Sequence, residues 1–187
     1  VCDAPGVPGY EDEAQVVVAE VLRKSCNEVR RDRLGNVIGL RKATRPPANG
    51  APPKVVLAAH VDEIGMMVKH IDANGFIRFE PMGGLNAHAI VAQRVVIHGR
   101  RPVGAVVVPD TRGDSKDKVT KVEEAFLDTG LPRDALRELV DVGDVVTFAS
   151  GVELLNEKVY VGRNFDDRIG TYCLLEAMRR VGDTAVD

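Results

Sequence analysis

Val55 to Ala59 form an unbroken apolar run that stops at His60, Asp62 and Glu63. With β-branched valines and Pro52-Pro53 in front, the run predicts a strand buried on both faces. Polar groups just past such a strand lie at the carboxyl edge, where open α/β sheets carry their chemistry. A second pattern begins at Val159. A short strand, Val159–Val161, passes through Gly162-Arg163-Asn164 into Asp166-Asp167, and a helix follows. Gly170, Cys173, Leu174, Ala177 and Met178 recur at helical spacing on its expected inner face. Near the N-terminus, Ala14, Val17, Val18, Val21 and Leu22 predict a helix from Glu11 to Lys24. Glu11, Asp12 and Glu13 in its first turn and Arg23 and Lys24 in its last suit the helix dipole. Asp32–Leu40 reads as a hairpin turning at Gly35-Asn36.

Between these segments the period changes. From Met66 to Lys158 short strand-like runs alternate with turns: MMVKHI, GFIRFEP, RVVIHG, VGAVVV and DVVTFA. Asn74-Gly75 is a hairpin signal. Short strands at close spacing predict a small closed or nearly closed β domain, interrupted by one helix over Pro132–Val140. The stretches 43–53 and 110–121, rich in proline and in charge respectively, read as loops. The expected layout is a discontinuous α/β domain, residues 1–65 and 159–187, split by a β insert over 66–158.

Composition narrows the function classes. A net charge of −3 with both signs interspersed gives no nucleic-acid footprint and no membrane-surface patch, and no apolar run is long enough to span a membrane. Three cysteines, Cys2, Cys26 and Cys173, in an unpaired pattern predict reduced, mostly buried thiols of a cytoplasmic protein. Aromatic residues make up 4% and tryptophan is absent, which disfavours a sugar-binding groove and glycoside hydrolysis.

His60 and Asp62 together admit two readings: a satisfied structural histidine, or a metal-binding imidazole oriented by a neighbouring carboxylate. Asp166 and Asp167 can cap the helix they open; a carboxylate bridging two metals beside a neighbour with a second role accounts for both of them. His70, His88 and His98 lack a second ligand at metal spacing and read as structural or surface residues.

AAHVDEIGMMV and GRNFDDRIG, with GYEDEA upstream and GGLNAHAIVAQRVVIHG and DVGDVVTF between, resemble the dinuclear metallo-aminopeptidases of the glutamyl-aminopeptidase/tetrahedral-aminopeptidase family, some of whose members are labelled endoglucanase or cellulase M. The resemblance runs over essentially the whole chain. It implies an α/β fold, a phosphorylase/hydrolase-like aminopeptidase sheet, with an inserted small β-barrel or PDZ-like domain used for homo-oligomerisation. It implies a peptide substrate and two divalent metal ions, zinc or cobalt, with manganese also compatible. Carried over residue by residue, His60 binds one metal, Asp166 bridges both, and Asp62 orients His60. Asp167 supports the turn after a cis Asp166–Asp167 peptide, and Arg168 anchors the carboxylates. Glu63 is expected to face solvent or pair locally.

Two departures accompany the resemblance. Pro109-Asp110-Thr111 stands where relatives often have a Pro-His pair. The family's general base, in an adjacent Glu-Glu pair beyond the Asp-Asp-Arg helix, and its later ligands have no match up to Asp187; Glu123-Glu124 lies in the insert. The expectation is therefore an inactive chain by itself, either the front part of a longer protein or a truncated relative. The competing reading is a non-catalytic oligomerisation or regulatory module built on the β domain.

Overall fold

In the computed structural model of the chain, residues 1–44, 49–50, 53–110 and 121–181 are described. Most of the two expected loops, 45–48 with 51–52 and 111–120, lies outside them. The first elements are α1 (Asp12–Leu22), β1 (Glu28–Arg31), β2 (Val37–Leu40), β3 (Gly65–Ile71) and β4 (Ile77–Met82). Next come α2 (Ala87–Ile90), β5 (Arg94–His98), β6 (Pro102–Val108), β7 (Phe126–Asp128) and α3 (Arg133–Arg137). The last are β8 (Val145–Phe148), β9 (Glu153–Asn156), β10 (Val159–Val161) and α4 (Phe165–Val181). These elements divide into two units. One comprises Val1–Gly6, Glu11–Asp62 and the chain from Asn164; the other comprises Val7–Tyr10 and Glu63–Arg163.

The second unit is a closed antiparallel barrel in the order β3-β4-β7-β6-β5-β8. Strand alternation builds it: along β6, Val103, Ala105 and Val107 turn inward while their neighbours face out. They meet Met66, Val68, Ile77, Phe79, Val95, Ile97, Leu127 and Val146 in one core. The β3–β4 turn works as Asn74-Gly75 suggests. Asp72 accepts hydrogen bonds from the Asn74 and Phe76 amides at 2.8 and 2.9 Å, and Gly75 takes φ +88. Gly65 opens β3 because a side chain there would strike Val7 and the Val146 carbonyl. The three-residue β7 closes the barrel between β4 and β6; it is too short to show an alternating pattern. Leu127 on β7 has no exposed surface. Leu127→Ala is expected to cost the barrel about 2–5 kcal/mol, read from urea unfolding.

The first unit packs α1 and α4 around Ala14, Val18, Leu22, Val61 and Leu175. β1 and β2 form the expected hairpin, shifted toward the N-terminus: Asp32 belongs to the turn. Its carboxylate accepts from the Leu34 and Asn36 amides, each at 2.9 Å. On α4, Glu176 is bracketed by Arg179 and Arg180 at 2.8 and 2.7 Å, and their hydrogen bonds hold its carboxyl down at about 2. A depressed carboxyl contributes stability above the ordinary glutamate range and loses it as pH falls toward 2. A carbon-detected NMR titration is expected to find this low midpoint at low salt and to see it rise with ionic strength.

Three expectations change. Val55–Ala59 is in no sheet: it pairs with no strand among the described residues, and Val55 and Val56 are 83% and 84% exposed. An apolar run becomes a buried strand only when neighbours supply hydrogen-bond partners and cover, and the described residues supply neither. On α4 the expected Leu174 and Met178 do pack against the core, but the buried positions are Arg168, Thr171 and Leu175, and Cys173 of the expected stripe is exposed. Cys2 and Cys26 are half-buried, so none of the three free thiols is fully covered.

Candidate metal centre

The segment His60–Val61 is fixed through its backbone. Arg168 donates from Nε to the Val61 carbonyl at 2.8 Å, and Thr171 Oγ1 donates to the His60 carbonyl at 3.1 Å. The Val61 side chain turns into the core of its unit. His60 and Asp62, on either side of it, are both partly exposed.

Both imidazole nitrogens of His60 face carboxylates. Nδ1 lies 3.1 Å from Asp62 Oδ1, and Nε2 lies 3.2 Å from Asp166 Oδ1. A neutral imidazole has one N–H, so one of these contacts sets a lone pair against a carboxylate. Either a second proton or a cation between the two donor atoms satisfies it. The donor set, a nitrogen and a carboxylate oxygen converging with a carboxylate behind the ring, fits a divalent cation. Among the described residues no group of three or more His, Cys, Asp and Glu side chains could hold a metal, so the fit is that of a partial site.

Asp166 is carried on a specific local structure. The Asp166–Asp167 peptide is cis, Asn164 adopts φ +59, and both aspartates have non-helical torsions, so regular helix starts after them. Asn164 donates from Nδ2 to the Cys2 carbonyl at 2.9 Å. Asp167 Oδ1 accepts from the Gly170 amide at 3.1 Å, which caps the helix; a side chain at Gly170 would collide with that carboxylate. The Asp166 side chain is left 97% exposed.

Arg168 has no exposed surface. Besides Val61, its guanidinium donates from Nη1 to the Val1 carbonyl at 2.6 Å and to the Ala4 carbonyl. Gly6 leaves room for it. This anchoring of the His60 segment and the N-terminal turn was not foreseen from sequence, because backbone acceptors carry no residue-type signal. Glu63 departs from expectation: it is buried and accepts a hydrogen bond from Arg163, a hundred positions away. His70 and His88 are exposed, and His98 lies 2.9 Å from Thr147 Oγ1. Glu123 and Glu124 lie in a 3₁₀ turn before β7.

A family model described as M42 glutamyl aminopeptidase matches residues 35–187. The chain belongs to that family. A lysyl aminopeptidase of Pyrococcus furiosus is 34% identical over all of this chain and 55% of its own length. The crystal structure of a TET aminopeptidase from a marine-sediment thaumarchaeon is 28% identical, with a TM-score of 0.89 over all of this chain and 53% of that one. The TET1 peptidase of Pyrococcus horikoshii, which assembles into a tetrahedron or a large octahedral shell, matches at 24% identity and TM-score 0.81, over 98% of this chain and 55% of that one; this last likeness shows the fold alone. The M42 chain thus spans about half the length of the relatives it matches. Among the described residues, no helix is long and apolar enough to cross a membrane.

Proposed function

We propose that the protein is a metal-dependent aminopeptidase that releases N-terminal residues from peptides, with His60 and Asp166 among its metal ligands. One observation carries the reading: two segments over a hundred positions apart bring His60 Nε2 and Asp166 Oδ1 to 3.2 Å, with Asp62 on the far ring nitrogen. Membership of the M42 family supports it. His60 would serve one of two cations and Asp166 both. A pair of zinc, cobalt or manganese ions, when bound, supplies an activated water and polarises the scissile carbonyl. The chain's own residues hold the site: Asp62 fixes the tautomer and orientation of His60, Asp167 holds the turn that presents Asp166, and Arg168 secures the segment carrying His60. We assign the α/β segments 1–65 and 159–187 to the catalytic part. The remaining ligands and the general base would come from sequence matching the other half of the relatives, and the chain by itself would be inactive.

The closed barrel with its own core favours a second role beside this one: the region 66–158 would serve as a homo-oligomerisation module. Release of chromophore from aminoacyl-anilides by the full-length protein, abolished by a chelator and restored by zinc or cobalt, is the expected result. Metal-independent release, or hydrolysis of cellulose in its place, would overturn the reading.

A further inference from the structure

The chain crosses between its two units at four places, and two of them, from Asp62 to Glu63 and from Arg163 to Asn164, flank the residues of the candidate site. The two residues on the barrel side of those two crossings are joined. Glu63 is 3% exposed, and its Oε2 accepts a 2.8 Å hydrogen bond from Arg163 Nε; the Arg163 side chain is 11% exposed. Arg163 Nη1 also donates to the Ser150 carbonyl at 3.1 Å. A buried ion pair is a poor source of stability, since its desolvation offsets most of its attraction and two well-packed apolar residues do as well or better. Its distinctive contribution is direction: a charge-assisted bond admits one register of the joined segments.

That register matters because of where the pair sits in the chain. Glu63 follows His60 by three residues, and Arg163 precedes Asp166 by three. In the other unit, Arg168 and Thr171 bind the His60–Val61 backbone to α4. We infer that Glu63 and Arg163 are a positioning pair, which fixes the register of the segments 60–63 and 163–166 against each other and so the presentation of His60 and Asp166. The metal consequence rests on the proposed function; the register consequence does not.

The experiment uses the full-length protein and the double variant Glu63→Leu/Arg163→Met, with Glu63→Gln as the milder second variant. Three quantities are read: thermal unfolding of the barrel, zinc affinity, and hydrogen exchange of the Arg168 and Gly170 amides in metal-free protein. The double variant is expected to melt at or above the wild-type temperature. Its zinc affinity should fall about 10–100-fold, the range seen when a group that orients a ligand is lost, and both amides should exchange faster. Glu63→Gln should move affinity and exchange the same way by less. Leu127→Ala, which weakens the barrel core, should leave amide exchange at 168 and 170 unchanged. A folded double variant with wild-type affinity and exchange would reduce the pair to packing and overturn the inference. If wild type binds no zinc, the metal reading fails, and exchange alone decides: faster supports the pair's role, unchanged overturns it. If the double variant does not fold, Glu63→Gln decides by the same exchange criterion.

Discussion

Arg168→Leu is expected to be the most damaging single substitution for the helical unit. The guanidinium is fully buried and satisfies the carbonyls of Val61, Val1 and Ala4. Leucine fills part of the volume and leaves those acceptors without a donor. The Val61 acceptor is buried and the Val1 and Ala4 acceptors are part-buried; an orphaned buried acceptor costs about 1–3 kcal/mol and a part-buried one less, so the loss should reach about 3 kcal/mol. Arg168→Lys keeps the charge but presents a single ammonium in place of a planar fork, and it should recover only part. Urea unfolding followed by helical circular dichroism measures this. A Leu variant within about 1 kcal/mol of wild type would mean that these carbonyls find other donors, beyond the ordinary scatter of surface substitutions.

Asp166→Ala is expected to have the largest functional effect and almost no structural one. Its side chain is 97% exposed, and the cap on α4 comes from Asp167, so the fold loses little. If Asp166 bridges two cations, its removal takes a ligand from each. Loss should exceed the roughly 10–100-fold seen for outer groups that merely orient a ligand. The d–d absorption of cobalt-loaded full-length protein, with release of aminoacyl-anilides, reads the effect. Asp166→Ala with wild-type absorption and turnover would remove it from the site. Asp62→Ala should fall in the 10–100-fold range, as an orienting group.

What was legible in the sequence divides along physical lines. Turns are local, so Asn74-Gly75 located the β3–β4 hairpin and Gly35-Asn36 the β1–β2 hairpin to within a few residues. Period-two runs are local, so most barrel strands could be read, while β7 was too short to show one. His60 and Asp62 stood out because they end an apolar run and Asp166 and Asp167 because they open a helix, and the structure brings His60 to both Asp62 and Asp166. Val55–Ala59 marks the limit of local reading. Its composition is that of a central strand, yet a strand exists only with a partner, and the described residues offer none. The interior place of Arg168 was hidden because its acceptors are backbone carbonyls, available at any sequence. The Glu63–Arg163 pair was hidden because two charges a hundred positions apart leave no local trace.

His60 and Asp166 are proposed as two ligands of a metal site that this chain holds only in part. Calorimetric titration of the chain with zinc and with cobalt, alongside His60→Ala and Asp166→Ala, tests it most directly. Two ligands leave the coordination shell incomplete, so weak binding that disappears in both variants is expected. Tight binding that persists in both variants would place the metal elsewhere and remove His60 and Asp166 from its ligands.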